Sequence, residues 1–276
     1  MQQLHIDWTL ANAAGVCIRK YGVKAAGFRS LYDASPALVF GAAHHKLMEH
    51  CALDRNLNVR QFVDRELAAS LETFGKPYTL GVLYDAPDNI FPAMCNIIGA
   101  DEENLNYFPE QKHEVELDNN ITYSAKIDLR VNYDDLIWFI EHKTSKYGLG
   151  MDGVTHYMLG EGQTKGQLLL GHRLYGDRFQ GVLILHYNIS KEILELVMVT
   201  YNPRQVHQFE ENLYNLAPRM RDAAAASELY EEMNYSSCRV FKNSCNLYDL
   251  CHKSKTLSDL SRDKWIAGIG WESELP

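Results

Sequence analysis

Long apolar runs are missing from this 276-residue chain. No stretch reaches the roughly eighteen consecutive apolar residues that a membrane-spanning helix needs, and no charged-then-apolar leader opens the sequence. A cytosolic compartment and no membrane partner are therefore expected. Basic residues are also in short supply: 27 Lys and Arg face 36 Asp and Glu, a net charge of −9. That balance argues against a chain that wraps a polyanion non-specifically, but a local basic groove with a bound divalent cation can still offset the field at one site. Internal repeats are absent, and low complexity is confined to Ala223–Ala226. Cysteines number six; without a secretory leader, clustered thiols point to metal rather than to a disulfide framework.

What is present is a core-forming composition, 46% hydrophobic, enough for one large domain, or about one and a half by length. The apolar period changes along it. Helices are predicted over Trp8–Lys20, Leu38–Leu53 and Asn58–Phe74, the last patterned Val59, Phe62, Val63, Leu67 and Leu71. Pro77 and Gly81 then punctuate the chain before a helical piece at Asn89–Ile98. A period near two predicts strands at His113–Leu117, Thr122–Val131 and Leu136–His142, with Asn132–Asp135 as a hairpin turn. A helix over Thr155–Tyr175, strands at Gly181–Asn188 and Glu192–Tyr201, and a long helix from Pro203 towards Met233 follow, with Pro218 expected to kink or break it. This order implies an α/β fold, a mixed sheet flanked by helices. The expected organisation is a single domain over 1–276: a helical part to 110, a core over 111–201, a carboxy-terminal helix and cysteine segment over 202–256, and a tail over 257–276.

Within the core, Ala125–Ser145 carries the most chemistry. On the first strand Ile127, Leu129 and Val131 point one way, leaving Asp128 on the other face with Lys126 and Arg130. On the second, Ile137, Phe139, Glu141 and Lys143 share a face opposite Leu136, Trp138, Ile140 and His142. Glu141 and Lys143 then stand roughly 7 Å apart where an apolar row runs out. Burying such charges costs several kcal/mol unless a metal or a hydrogen-bonded partner compensates. Two carboxylates and a lysine converging there would suit a divalent cation and phosphodiester cleavage; the plainer alternative is a solvated hairpin, because this spacing is common by chance. Lys126, Arg130, Lys143, Lys146, Lys165 and Arg173 suggest a basic groove or simply a solvated surface.

Cys238, Cys245 and Cys251 form C-x6-C-x5-C after the long helix. Three thiolates leave a tetrahedral or cubane site one ligand short, and Cys17 is the candidate fourth. The alternative is that they pack as small hydrophobes, the reading preferred for Cys51 and Cys95.

Further pieces fall in order along the chain. Cys17-Ile18-Arg19-Lys20-Tyr21 lies near the amino terminus, and Gly41-Ala42-Ala43-His44-His45 comes next. Asp128, the Glu141–Lys143 strand, Gln163 and Cys245-x5-Cys251 with Tyr248 between them follow. Together they resemble the RecB-like branch of the PD-(D/E)xK nuclease superfamily, similar to phage-encoded and CRISPR-adaptation exonucleases, the AddB nuclease domain and exonuclease V. The resemblance spans Thr9 to Cys251, and it implies that Gly41–His45 is a helix start that singles out His45 over its neighbour. It departs at Ile18, where proline is usual, at Gln167, where a tyrosine is expected, and at the wide Cys238–Cys245 spacing.

The resemblance implies a restriction-endonuclease-like fold and a metal-dependent DNA exonuclease of recombination, repair or phage DNA processing. Asp128, Glu141, the His142 carbonyl and His45 would hold Mg²⁺ or Mn²⁺. Lys143 would orient or deprotonate the attacking water, with Gln163 beside it. Cys17, Cys238, Cys245 and Cys251 would hold a structural [4Fe–4S] cluster, with Zn²⁺ the alternative. DNA with a single-stranded region or an end is the implied partner, together with recombination or replication proteins; oligomerisation is left open. Two competing classes remain: a non-cutting nucleic-acid-binding or assembly protein that keeps the cluster, and a zinc module with no nucleic-acid role.

Overall fold

The computed structural model describes residues 3–18, 21–22, 28–30, 36–67, 81–117, 120–145, 149–150, 153–154, 162–189, 191–225, 239–240, 243–244 and 265–267. In chain order the elements are β1 (Leu4–Ile6), α1 (Trp8–Val16), β2 (Phe28–Ser30), α2 (Pro36–Leu53) and α3 (Val59–Phe62), which a π-helical turn extends over Val63–Leu67. Then come α4 (Gly81–Ile98), β3 (Asn106–Leu117), β4 (Ile121–Tyr133), β5 (Leu136–Ser145), α5 (Gly162–Tyr175), β6 (Phe179–Asn188), β7 (Ile193–Val199) and α6 (Pro203–Ala225). Short strands follow: β8 (Arg239–Val240), β9 (Asn243–Ser244) and β10 (Trp265–Ala267). The chain divides into two units: Met1–Ala34 with Glu116–Tyr123 and His207–Pro276, and Ser35–Val115 with Ser124–Val206. No helix among the described residues is long and apolar enough to cross a membrane.

In the first unit, β1 runs parallel to Ile121–Tyr123, the opening of β4. The Asp7 carboxylate caps α1 by accepting the Leu10 N–H at 2.7 Å, which satisfies one of the donors a helix start leaves open. Trp8 tilts onto Phe209, which meets Tyr123 edge-on. Helix α6 runs through Pro218 without ending there, so the expected break does not occur.

The second unit holds the mixed sheet. β4 and β5 form an antiparallel hairpin, β6 lies parallel to β5, β7 lies antiparallel to β6, and β3 pairs with β4. The hairpin turns at Asp134-Asp135, with Asp134 at φ 49°, a left-handed conformation that aspartate tolerates well. Both faces are covered. Leu129, Val131, Trp138, Ile140, Leu183 and Leu185 enter a core with Phe40, Ala43 and Leu47 of α2 and Leu83, Ile90 and Met94 of α4. On the opposite face Phe139 packs against Phe179 and Tyr175, the last residue of α5. Burial on both faces is why β5 and β6 read as nearly continuous apolar runs.

Two elements depart furthest from their expected bounds. α4 starts at Gly81, not Asn89, and carries Pro87 and Pro92 inside it. Val82, Leu83, Ala86, Ile90, Phe91 and Met94 recur at helical spacing and are all buried, and that apolar face outweighs the hydrogen bonds two prolines forgo. β3 begins at Asn106, ahead of the expected His113, and contains Pro109. Proline is tolerated on an edge, and among the described strands β3 pairs with β4 alone.

Gly171 is where α5 touches the sheet. A Cβ there would lie 2.3 Å from the nearest atom of the Phe179 ring, and that ring is itself buried against Phe139. Gly171→Ala is expected to destabilise the fold by about 1–3 kcal/mol despite alanine's better helix propensity. Chemical denaturation would check this; an unchanged midpoint would mean the ring can move aside.

Candidate metal centre

Four elements of the second unit deliver the polar side chains that the sequence placed at the site. β4 brings Asp128, β5 brings Glu141, His142 and Lys143, α2 brings His45 and α5 brings Gln163 and Gln167. Gly41 lies inside α2, which begins at Pro36, so it is not the helix start expected of it. A Cβ on it would sit 3.4 Å from Thr144 Oγ1, which shows how closely α2 runs past the end of β5. One turn on, His45 reaches the same strand: its Nε2–H donates to the His142 carbonyl at 2.8 Å, and its Nδ1 lies 3.5 Å from Asp128 Oδ1. The other Asp128 oxygen accepts the His142 backbone N–H at 2.8 Å. His45 therefore turns to Asp128, and its neighbour His44 turns into the core, fully buried against His142 and Tyr187.

Glu141 is buried, 2% exposed, and α5 supplies its hydrogen bonds. Gln163 Nε2 donates to Oε1 at 2.6 Å, and Gln167 Nε2 donates to Oε2 at 2.5 Å. Lys143 Nζ lies 2.7 Å from Oε1 and donates to Gln163 Oε1 at 2.9 Å. The two glutamines stand four residues apart on one helix face, the spacing that lets both amides reach one carboxylate. Gln167 thus contacts Glu141 where a tyrosine was expected by resemblance. Gln167→Leu removes a donor from a buried carboxylate and should lower divalent-metal affinity roughly tenfold, the low end for groups that support a metal ligand. Mn²⁺ titration calorimetry would measure it; an unchanged dissociation constant would show that Gln163 and Lys143 suffice.

The electrostatics follow from burial and from these pairs. Burial pushes Glu141 up to about 7, the Asp128 charge adds to the rise, and Lys143 opposes it. Burial acts to raise Asp128 too, yet His45, His142 and their hydrogen bonds hold its carboxyl below the ordinary value. For His45, burial pulls down, but the charge and hydrogen bond of Asp128 with the charges of Glu141 and Glu110 push the ring up to about 9. Burial drives His142 down to about 4 and His44 well below 6.5, so both stay neutral. Their ring nitrogens find no hydrogen-bond partner among the described residues.

Glu110 escaped sequence reasoning. It sits on β3 just after Pro109, at φ 55°, in the left-handed region that glutamate rarely adopts. Its carboxylate pairs with Lys126, and burial raises its pKa. One ligand atom each from His45, Glu110 and Asp128 lie within 4.8 Å of one another. Glu110 lies ahead of the strand expected from His113, beside Pro109, a residue that argues against a strand. Among the expected basic residues, Lys126 is thus tied to Glu110, and Arg130 stacks on Phe108 while donating to the Tyr175 hydroxyl at 2.9 Å; Lys146 lies outside the described residues.

Of the cysteines, Cys238, Cys245 and Cys251 lie outside the described residues. Cys17 is a buried free thiol at the end of α1. Cys51 is buried in the second unit's core, where burial pushes its thiol up to about 11, and Cys95 packs against that core, as a packing role requires.

No family model matches the chain, and no curated protein matches it. Among solved structures it is similar to one titled "Crystal structure of SSO0001", at 11% identity and a TM-score of 0.32, covering 66% of this chain and 86% of that one. A superposition that loose carries no argument about fold or activity.

Proposed function

We propose that the second unit is a restriction-endonuclease-like nuclease and that the protein is a metal-dependent DNA exonuclease. The observation that carries this reading is one cluster in which His45, Glu110 and Asp128 offer ligand atoms within 4.8 Å of one another, beside a lysine 2.7 Å from a buried glutamate. The donor set fits Mg²⁺ or Mn²⁺: hard carboxylate oxygens with one imidazole, which favours Mn²⁺. Asp128, Glu110 and His45 would hold the ion, with Glu141 and the His142 carbonyl alongside. Such an ion supplies positive charge against a phosphate and acidifies water at the site.

The chain's own groups do the rest. Lys143, held by Glu141 and Gln163, presents an ammonium to the charge that grows on the phosphate oxygens and orients the attacking water. Gln163 and Gln167 fix the Glu141 carboxylate, so that a small displacement does not spoil the geometry. A non-cutting relative would have little reason to bury Glu141 beside Asp128, since each raises the cost of the other's charge.

The test is digestion of end-labelled single- and double-stranded DNA with Mn²⁺, with closed circular DNA as the control for end dependence. Metal-dependent loss of linear label, circles intact, is expected. No cutting of any of the three DNAs would leave the binding or assembly reading. A [4Fe–4S] cluster on Cys17, Cys238, Cys245 and Cys251 belongs to the same proposal; zinc without iron or sulfide in the purified protein would replace it.

A further inference from the structure

Ser145, His186 and Glu195 take no part in the chemistry above. They come from β5, β6 and β7, three neighbouring strands of the second unit. Ser145 Oγ lies 2.9 Å from His186 Nε2, and His186 Nδ1 lies 3.0 Å from Glu195 Oε2. The strand register sets the second contact, because His186 and Glu195 are directly opposite across β6 and β7.

The proton positions follow from the partners. A carboxylate only accepts, and Glu195 Oε2 already accepts the Leu149 backbone N–H at 2.7 Å, so the hydrogen between it and the ring belongs to Nδ1. Nε2 is then the lone-pair nitrogen of a neutral imidazole, and the serine hydroxyl must donate to it. Burial, which pulls His186 down against the pull of Glu195, keeps the ring in that neutral form. His186 is 4% exposed, while Ser145 is half-buried at the end of its strand. An oxygen in contact with an oriented base, with its own proton already directed at that base, is the arrangement that activates a hydroxyl.

We propose that Ser145, His186 and Glu195 form a second reactive site, in which Ser145 is a nucleophile towards activated carboxylic esters, His186 its general base and Glu195 the group that orients the ring. In the step, Ser145 Oγ bonds to the ester carbonyl carbon as its proton passes to Nε2. The carbon–oxygen bond to the alcohol then breaks, and the departing oxygen takes the proton from Nε2. Water, deprotonated by the same nitrogen, releases the carboxylic acid and restores the serine. No oxidant or further reactant is needed.

A fluorophosphonate reagent tests it, since phosphonylation follows the same attack with fluoride leaving, and peptide mass spectrometry locates the adduct. Wild-type protein and Asp128→Ala are both expected to carry the label on Ser145. Ser145→Ala should carry none while still cutting DNA with Mn²⁺ as the wild type does. Glu195→Gln, a change at a partly exposed position, should label at least tenfold more slowly. Folded wild type that remains unlabelled at Ser145, or Glu195→Gln that labels as fast as the wild type, would overturn the proposal. Labelling is read whether or not the protein cuts DNA, so failure of the nuclease reading and failure of this one are told apart.

Discussion

Asp128→Ala is expected to lower kcat/KM for Mn²⁺-dependent DNA cleavage by about a thousandfold or more, equivalent to roughly 4 kcal/mol of transition-state stabilisation. Asp128 contacts both the His45 ring and the backbone of the strand that carries Glu141. Its Oδ1 faces His45 and its Oδ2 holds the His142 backbone N–H, and it offers a ligand atom alongside Glu110. Removing it takes away a metal ligand, the charge that keeps His45 protonated in the metal-free protein, and the bond that fixes the strand carrying Glu141. Asp128→Asn separates these roles. It keeps the shape and an acceptor for the N–H but loses the charge, so if charge against the metal is what matters, it should cut as poorly as the alanine variant while melting close to wild type. Equal residual cutting by wild type and both variants would mean that the nuclease lies elsewhere or is a contaminant.

The residues that were legible in the sequence share a property: their positions follow from period-two alternation. Asp128 lies opposite Leu129 and Val131, as the alternating burial of β4 shows, and Glu141 and Lys143 lie opposite Trp138 and Ile140, which pack into the α2–α4 core while Phe139 packs on the other face. Alternation is a local consequence of backbone geometry, and it survives whatever the strand packs against. The mixed α/β architecture was readable for the same reason: the switch from helical period to period two and back is written into the apolar residues. Choosing His45 over His44 needed the resemblance, because two adjacent histidines on one helix offer no local basis for deciding which faces the sheet.

What stayed hidden depended on contacts that no local pattern encodes. Glu110 joins the cluster through a backbone conformation that follows a proline on an edge strand, and both features argue against a strand when only propensity is weighed. α4 was foreshortened because Pro77 and Gly81 punctuated the chain and the helical piece was placed only from Asn89, whereas the buried face that begins at Val82 decides the matter in the fold. Gln167 could be placed on a helix from its spacing, but its bond to Glu141 depends on how α5 lies over β5. Ser145, His186 and Glu195 come from three strands separated by more than forty residues between the first and second, and the parallel β5–β6 register, with the antiparallel β6–β7 register, brings them together.

Mn²⁺ affinity should climb with pH, by roughly a hundredfold between pH 6.5 and 8.5. The sign follows from what must leave. The ring of His45 sits near 9 in the metal-free protein because Asp128, Glu141 and Glu110 outweigh the opposing effect of burial, and an imidazolium has no lone pair to offer a cation. Binding through that ring therefore releases a proton at every pH below about 9, and the apparent dissociation constant falls about tenfold for each pH unit over that range. Glu141, pushed up to about 7 by burial and by Asp128, adds a second released proton below neutrality and steepens the dependence there. Metal-free stability runs the other way: the raised His45 contributes stability that is fully present below its ordinary value of 6.5 and is lost as pH rises through about 9. The melting temperature without metal should thus fall across the interval in which added Mn²⁺ raises it most. Calorimetric titration in two buffers of different ionisation enthalpy counts the protons directly; about one per ion at pH 8 is expected, and none from His45→Gln. A dissociation constant flat from pH 6.5 to 8.5 would place the ion away from this imidazole and leave Asp128 and Glu110 to hold it alone.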